Sequence, residues 1–262
     1  MKYSFVKNNK VEAFIGGKGL CICCNEETIA KCGTKKIHHW AHKSLKHCDN
    51  WWENETEWHR KWKSHFPKDW QEVVHFDNQT NEKHIADVKT DKGIIIEFQN
   101  SPMSIKELVS REQFYKKMVW VINGEKFINS FHILDKLPNP NAEFAKDIIF
   151  HTIKVSYKGK LFSRYSENPH YYQNKNIALL AHDNKDIEKE IEEYYIGHHF
   201  FDWIKPRSVW YEAKCNVFFD FNTDVLWKLM KYDNNGLLCV RKIEKSYFIE
   251  RALGIVNVKT MN

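Results

Sequence analysis

Two carboxylates ten residues apart, Asp87 and Glu97, are the strongest candidates for chemistry in this sequence. Glu97 interrupts a short apolar run, residues 94–98, which follows a glycine and is typical of a buried strand. A carboxylate in such a run is unfavourable unless it is paired or binds a metal. The turn 90–93 is expected to fold this strand onto the preceding one, so that both acids reach one divalent cation. Side chains alternate along a strand, so Gln99 shares the face of Glu97. Either acid alone could equally be an ordinary solvated or ion-paired residue.

A cluster of cysteines and histidines predicts a structural zinc site. Five of the seven cysteines lie within residues 21–48, and disulfides are not expected because no signal-peptide core precedes them. Cys21 and Cys24 form a Cys-x₂-Cys knuckle, to which downstream residues could add two ligands. The ligands are predicted to be four of Cys21, Cys24, His39, His42 and Cys48, completed by His39 with His42 or by His42 with Cys48. Four protein ligands indicate a site that stabilises the fold, and buried thiols without metal are the alternative.

Residues 53–65 predict a helix that carries further candidates. One face of this helix is predicted to carry four residues spaced at steps of four, three and one positions: Glu55, His59, Trp62 and Lys63. Taken alone, this pattern also fits a solvated helix with salt bridges.

A compact α/β unit is predicted around these residues. Residues 70–76 are expected to form a strand, followed by the hairpin that carries the two acids. A helix is predicted from Ser104 to about Met118, and a buried strand over 119–124. Arg111 on this helix could contact phosphate or pair with Glu107. The order of these elements, a helix, three strands, a helix and a strand, predicts a mixed sheet.

The C-terminal half has weaker signals. We predict an acidic helix over 186–193, strands over 210–212, 216–221 and 224–230, and a turn-capping role for Asp220.

Composition fits a soluble globular protein. Hydrophobic residues make up 42% and charged residues 28% of the 262-residue chain. No apolar run reaches the ~18 residues that would span a bilayer, so a cytoplasmic location is expected. The net charge of +6 and the pI near 8.8 permit a polyanionic partner.

Several motifs occur in an order that resembles the CoiA-like competence nuclease family, a branch of the PD-(D/E)XK nucleases. They are Cys21-x₂-Cys24, His39-Trp40-Ala41-His42, Cys48, Glu55-Thr56-x₂-His59-x₂-Trp62-Lys63, Ala86-Asp87-Val88, Ile96-Glu97-Phe98-Gln99-x-Ser101, Ser110-Arg111-x₃-Tyr115 and Val119-Trp120-Val121. The resemblance covers residues 21–124 and leaves the C-terminal half unexplained.

The resemblance implies a restriction-endonuclease-like core in which Asp87, Glu97 and Glu55 hold Mg²⁺ or Mn²⁺. Gln99 stands where the superfamily usually has a lysine that positions the attacking water. Glutamine donates a hydrogen bond but carries no charge. Lys63 could supply the missing cation, or the chain could bind DNA without cutting it. Since the related branch commonly has glutamine at this position, we expect activity.

The resemblance further implies DNA as the substrate, contacted by Arg111, His59 and Tyr115. The predicted function is a metal-dependent DNA endonuclease that serves DNA uptake, repair or defence against foreign DNA. Protein partners from a DNA-processing or defence system are expected, and a membrane is not. One alternative is an inactive nucleic-acid-binding module with structural zinc, and another is a protein-interaction module.

The predicted fold class is therefore α/β (α+β), with a restriction-endonuclease-like core, a mixed sheet, an N-terminal zinc knuckle and a β-rich C-terminal region. The predicted domains are a zinc-knuckle segment at 1–50, the nuclease core at 51–130, a helical or irregular region at 131–205 and a β-rich region at 206–262.

Overall fold

The computed structural model describes residues 1–44, 48–77, 81–151, 162–164, 185–232 and 236–255. Contacts divide the chain into two compact units. Unit 1 comprises Met1–Val121, Glu212–Cys215 and Ile249–Asn262, and unit 2 comprises Ile122–Tyr211 and Asn216–Phe248. All predicted catalytic, substrate and metal residues lie in unit 1.

Unit 1 begins with a five-stranded antiparallel sheet. Its strands are β1 (Tyr3–Val6), β2 (Asn9–Glu12), β3 (Lys18–Leu20), β4 (Glu27–Lys31) and β5 (His39–His42), in the order β2-β1-β3-β4-β5. The loop between β1 and β2 consists of Lys7 and Asn8, whose φ angles are 49° and 65°. A two-residue type I′ hairpin requires positive φ at both positions, so this loop fixes the register of the first two strands.

The next element is α1 (Glu57–Lys63), which is shorter than the predicted helix. Thr56 and His59 form a reciprocal capping box that begins the helix, so Glu55 precedes the helix instead of lying within it. The buried face of α1 includes His59, Trp62 and Lys63.

The central sheet of unit 1 is mixed. Its elements are β6 (Gln71–Asp77), β7 (Glu82–Lys89), β8 (Ile95–Gln99), α2 (Ile105–Tyr115) and β9 (Met118–Asn123), and the strand order is β6-β7-β8-β9. The pairs β6–β7 and β7–β8 are antiparallel. The Ile95 N–H, at the start of β8, donates to the carbonyl of Lys117, just before β9. These two strands therefore start at the same end and run parallel, joined by α2. The predicted mixed α+β fold is confirmed.

Helix α2 begins where the sequence predicts. The Ser104 side chain accepts a hydrogen bond from the Glu107 N–H. Leu108 of this helix and Trp120 of β9 are fully buried, as is Ile95 of β8. All five residues of β8 are buried, as expected for a strand inside a covered sheet.

Unit 2 is mainly antiparallel β structure. Its elements are β10 (Phe131–Leu137), β11 (Ile148–Phe150), β12 (Phe162–Arg164), α3 (Lys185–Glu193), β13 (His198–Trp203), β14 (Asn216–Asp220), β15 (Val225–Lys231) and β16 (Leu238–Glu244), followed by α4 (Lys245–Ala252), which extends into unit 1. Five of its strands lie in the order β10-β13-β16-β15-β14, and β11 pairs with β12. One core cluster is formed by Leu137, Ile148, Phe150, Ile191, Phe200, Tyr232 and Cys239.

The C-terminal expectations are met in part. The predicted acidic helix is α3, and the predicted strands at 216–221 and 224–230 are β14 and β15. The strand predicted at 210–212 is wrong, because a 3₁₀ helix occupies Ser208–Tyr211. Residues 131–205 contain strands where helical or irregular structure was expected. The four-domain division stays a prediction.

Asp220 caps a turn, as predicted. Its Oδ1 accepts hydrogen bonds from the Asn222 N–H and from Lys245 Nζ, each at 2.9 Å. Among the described residues, no helix is long and apolar enough to cross a membrane.

Candidate active site and metal centre

Three carboxylates lie in a row across β6, β7 and β8. The register of β6 with β7 places Glu72 opposite Asp87. In the β7–β8 ladder Val88 pairs with Ile96, and Asp87 and Glu97 are the next residues beyond this pair. Directly opposed residues of antiparallel strands share a face, and like charges in such positions destabilise the sheet. The row therefore requires compensation by cations or by protonation.

Asp87 and Glu97 meet as predicted at the hairpin. The Asp87 N–H donates to Glu97 Oε1 at 3.2 Å, and the Phe98 N–H donates to Asp87 Oδ2 at 3.0 Å. The Glu97 side chain is almost fully buried, whereas that of Asp87 is 22% exposed. Burial, followed by the nearby Asp87 carboxylate, raises the pKa of Glu97 to about 8. Glu97 is thus the member of the pair that most needs a neighbouring positive charge.

Lys63 from α1 is the central cation of the site. Its Nζ lies 2.7 Å from Glu55 Oε1, 3.0 Å from Glu72 Oε1 and 3.5 Å from Asp87 Oδ1. The Lys63 side chain is only 3% exposed. Although burial disfavours its charged form, the three carboxylates raise the pKa of Lys63 above its usual value. The helix therefore holds a permanent positive charge against the carboxylate row.

Glu72 is held firmly in the carboxylate row by hydrogen bonds from the N-terminal residues. Its carboxylate accepts hydrogen bonds from the N–H groups of Lys2, at 2.7 Å, and Tyr3, at 3.0 Å. Burial acts to raise its pKa, but Lys63 and these N–H groups lower the pKa of Glu72 to about 2. Its φ of 45° lies in the left-handed region, which is strained for a residue with a Cβ. The polar contacts of its carboxylate hold this conformation.

Arg111 from α2 closes the other side of the site. Its Nη1 lies 3.4 Å from Glu97 Oε2, while its Nη2 donates to Glu107 Oε1 at 2.5 Å and to the Trp51 carbonyl at 2.9 Å. The predicted pair with Glu107 is present, and the contact with Glu97 adds to it. Because the guanidinium is buried among these acceptors, it is oriented before any substrate arrives.

These side chains line one cavity with a large excess of negative charge. Six acidic side chains face two basic ones among the described residues that line it, namely Asp49, Glu53, Glu55, Glu72, Asp87 and Glu97 against Lys63 and Arg111. The raised pKa of Glu97 and the amino group of Met1, which also lines the cavity, reduce this excess. Glu53 Oε1 is buried without a hydrogen-bond partner among the described residues, whereas the buried oxygens of Glu55 lie 2.7 Å from Lys63 Nζ and 3.6 Å from Arg60 Nη2. An anionic substrate is repelled by this cavity unless further cations enter with it.

The remaining predicted residues occupy different positions. His59 lines the cavity, and its Nε2 donates to the carbonyl of Phe98 at 2.9 Å. The Gln99 amide donates to both the carbonyl and the hydroxyl of Ser101 at 3.1 Å, and Gln99 is not among the lining residues. Tyr115 is buried among aromatic rings and does not line the cavity either. Substrate contact by His59 and Tyr115 stays a prediction.

Two acids on the cavity were missed by sequence reasoning. Asp49 accepts hydrogen bonds from His84 Nδ1, at 2.7 Å, and from the Ile85 N–H, at 2.8 Å. Glu53 follows four residues later. Both acids follow Cys48 closely in the sequence, which could have drawn attention to them. No spacing rule, however, predicts that they lie beside the distant strand β7.

A second cluster forms a candidate metal site. The ligand atoms of Cys21, Cys24, His42 and Cys48 all lie within 4.8 Å of one another. Cys21 Sγ is 3.6 Å from Cys48 Sγ, and Cys24 Sγ is 3.2 Å from His42 Nε2. Tetrahedral zinc with Zn–S bonds of about 2.3 Å separates two sulfurs by about 3.8 Å. The separations therefore suit a closed four-ligand zinc site.

The strand register selects His42 over His39. In the β4–β5 ladder, His42 pairs with Thr28, next to the knuckle, whereas His39 pairs with Lys31 at the far end. His39 Nδ1 contacts the carbonyl of Ile37 at 2.9 Å. Of the two ligand sets that the sequence left open, the geometry favours the one with Cys48.

The acidic cavity contains no comparable three-ligand cluster. Among the described residues, only the cysteine–histidine group brings three or more ligand atoms within 4.8 Å of one another. Glu55 instead pairs with Lys63, so its predicted role as a third magnesium contact stays a prediction.

The fold and the two sites define a class: an α+β protein with a cysteine–histidine metal site and a lysine-compensated acidic cavity. Residues 6–50 match the family model described as competence protein CoiA, N-terminal domain. The match covers 45 of 262 residues and contains all four candidate zinc ligands. It shows that the N-terminal region is similar to that domain. No curated protein and no solved structure matches this chain.

Proposed function

We propose that this protein is a divalent-metal-dependent nuclease that hydrolyses phosphodiester bonds in DNA, with unit 1 carrying a restriction-endonuclease-like core. The main support is the pairing of Asp87 with Glu97 at the hairpin, inside a cavity where Lys63 and Arg111 are already oriented. The similarity to a competence protein over residues 6–50 favours a role in DNA uptake, and repair or defence against foreign DNA are related possibilities.

The charge balance of the cavity supports metal dependence. The excess of acidic over basic groups in the cavity would repel a phosphodiester, and a divalent ion would lower this barrier. Asp87 and Glu97 fit such an ion because Mg²⁺ is usually held by one or two carboxylates together with water. The orphaned oxygen of Glu53 is a further acceptor on the same cavity.

In this proposal each residue has a distinct part. When Mg²⁺ or Mn²⁺ is present, it supplies Lewis acidity toward the phosphate and makes water easier to deprotonate. Lys63 orients Asp87 and provides the positive charge that Gln99 cannot. Arg111 orients Glu97 and is placed to contact a phosphate oxygen.

The cysteine–histidine group would then hold zinc as a structural centre. Cys21, Cys24, His42 and Cys48 supply four ligands, so no position is left open for substrate. Lys83 Nζ of β7 donates to the carbonyl of Cys23, which ties the knuckle to the strand that carries Asp87. Loss of zinc is thus expected to disturb the acidic cavity indirectly.

The deciding experiment is cleavage of single- and double-stranded DNA in Mg²⁺, Mn²⁺ or EDTA. Asp87→Asn and Glu97→Gln keep side-chain size while removing charge, and Asp91→Asn in the exposed turn of the same hairpin is the matched control. We expect metal-dependent cleavage in the wild type and control, and loss of at least about 100-fold in each site variant, equivalent to about 2.7 kcal/mol in the barrier. Cleavage that survives both site substitutions would disprove the assignment.

A second candidate is a DNA-binding module that does not cut. The orientation of Gln99 toward Ser101, away from the cavity, favours it. Salt-sensitive DNA binding without cleavage in any metal would support this candidate over the nuclease.

A further inference from the structure

Trp52 lies where three neighbouring cavities of unit 1 meet. It lines the acidic cavity, a second cavity with His39 and Trp40, and a third with Lys36 and Thr56. The cavities also share walls pairwise: Asp49 lines the first and second, His39 the second and third, and Glu55 the first and third. The three cavities therefore adjoin one another around Trp52 and are together called the groove, and each of them is lined by Asp49, Glu55 or both.

The exposure of Trp52 differs from that of the packed tryptophans of unit 1. Its relative exposure is 38%, compared with 1% for Trp40 and 2% for Trp62. Tryptophan offers a large flat apolar face, so a partly open indole beside a polar site is suited to stacking.

The backbone that carries Trp52 is held in place. The Trp52 N–H donates to the carbonyl of Asp49 at 3.2 Å, and the Trp51 N–H donates to Asp49 Oδ1 at 2.9 Å. The same Asp49 carboxylate is anchored to β7 through His84 and Ile85. The indole therefore projects from a turn that is fixed before a ligand binds, which lowers the entropic cost of binding.

One exposed lysine belongs to the groove. Lys36 lines the third cavity, where it lies together with Glu55, Thr56 and Trp52. Lys43 is also exposed, but it pairs with Glu27 at 2.7 Å and lines none of the three cavities. A ligand in the groove thus meets carboxylates, an aromatic face and the positive charge of Lys36.

We propose that Trp52 stacks on an unpaired nucleobase of a single-stranded polynucleotide whose neighbouring phosphates lie at the acidic cavity and beside Lys36 of the third cavity. This inference rests on the proposed nuclease function and specifies its substrate class. A polynucleotide combines anionic phosphates with apolar base faces, which is the combination that the groove presents. A base inside a duplex has no free face, so the contact selects unpaired strands.

The test is binding of a fluorescent single-stranded oligonucleotide with hydrolysis-resistant phosphorothioate linkages, measured by anisotropy in Mg²⁺, so that the acids are neutralised and cleavage cannot interfere. The variants are Trp52→Ala, Trp52→Phe and the control Phe76→Ala, in which an aromatic residue that is 51% exposed is removed outside the three cavities. We expect Trp52→Ala to weaken binding by about 5- to 150-fold, the range for one lost base stack. Trp52→Phe should retain most of the affinity, and Phe76→Ala should bind as the wild type does.

Abasic oligonucleotides separate stacking from damage to the fold. A strand that lacks one base is scanned position by position against the wild type and Trp52→Ala. We expect one position to weaken wild-type binding as much as Trp52→Ala does, and to have no further effect on that variant. Equal affinity of wild type and Trp52→Ala for every strand overturns the proposal, and so does an affinity for duplex DNA equal to that for single strands.

The two proposals fail in different ways. Metal-dependent cleavage with no effect of Trp52→Ala on binding overturns the stacking contact but keeps the nuclease. Binding that depends on Trp52, without cleavage in any metal, supports the stacking contact and overturns the nuclease. A protein that neither binds nor cuts polynucleotides overturns both.

Discussion

Replacing Lys63 with methionine removes the positive charge that compensates the carboxylate row and leaves a side chain of similar length. Glu55 and Glu72 lose a cation at 2.7 and 3.0 Å, and Asp87 loses one at 3.5 Å. The Lys63 side chain is only 3% exposed. Water therefore cannot take the place of the lost charge unless the structure opens. We therefore expect the variant to be strongly destabilised.

The magnitude can be estimated in two ways. Removing one partner of a buried ion pair typically lowers the free energy of unfolding by about 3–5 kcal/mol. Independently, lowering the pKa of Glu72 from 4.5 to about 2 corresponds to about 3 kcal/mol of stabilisation of its charged form. Lys63 is the largest charge that favours the ionised carboxylate, followed by the amino group of Met1 and then by the N–H groups of Lys2 and Tyr3. A loss of about 3 kcal/mol near pH 7 is consistent with both figures.

The stability difference between the wild type and Lys63→Met should depend on pH in one direction only. A carboxyl group with a lowered pKa in the folded state stabilises the fold above its unfolded pKa, and this contribution is lost as the pH falls toward the folded value. For Glu72 the window runs from about pH 4.5 down to about pH 2. The difference in stability between wild type and Lys63→Met should thus shrink between pH 7 and pH 3.

The assay is urea unfolding followed by tryptophan fluorescence, in EDTA so that no bound metal contributes to the acidic cavity. The matched control is Lys61→Met, an exposed lysine on the same helix, which should change stability by less than about 0.5 kcal/mol. The reasoning is refuted if Lys63→Met is as stable as Lys61→Met at pH 7. It is also refuted if the loss is the same at both pH values.

Three further predictions concern other parts of the molecule. Cys24→Ser should abolish bound zinc and lower the melting temperature, whereas Cys32→Ser, outside the four-ligand group, should leave one zinc per chain by atomic absorption. Asp49→Ala leaves the buried His84 without its hydrogen-bond acceptor and should lower the free energy of unfolding by about 1–3 kcal/mol, measured in urea. Burial, helped by Arg241, lowers the pKa of His198 to about 4, so stability should fall by up to about 3 kcal/mol as the pH drops from about 6.5 to 4. His198→Phe should reduce this slope, as measured by urea midpoints across the range.

Each of these has a result that would contradict it. Equal zinc content in Cys24→Ser and the wild type would exclude Cys24 as a ligand. An Asp49→Ala variant as stable as the wild type would mean that His84 is satisfied in another way. If stability falls with pH as steeply in His198→Phe as in the wild type, the fall is caused by groups other than His198.

Local sequence determined the hairpin and much of the zinc knuckle. A short, continuous apolar run that follows a glycine, with a short turn before it, is enough to bring Asp87 and Glu97 together, because strand period and turn length fix the register. Likewise, the Cys21–Cys24 spacing places two thiols in one turn whatever the rest of the chain does. Capping at Ser104 defined the start of α2 for the same reason: its partner is three residues away.

Tertiary structure decided the rest, because it depends on residues that are distant in the chain. Glu72 joins the carboxylate row only through the pairing of β6 with β7, and α1 then places Lys63 against it. Gln99 shares a strand with Glu97, yet its amide is satisfied locally by Ser101, which alternation alone cannot predict. The choice between His39 and His42 followed from the register of two strands. Sequence thus supplied the chemical groups and their local geometry, while long-range strand pairing determined which groups share a cavity, since side chains meet across a sheet only when its register is set.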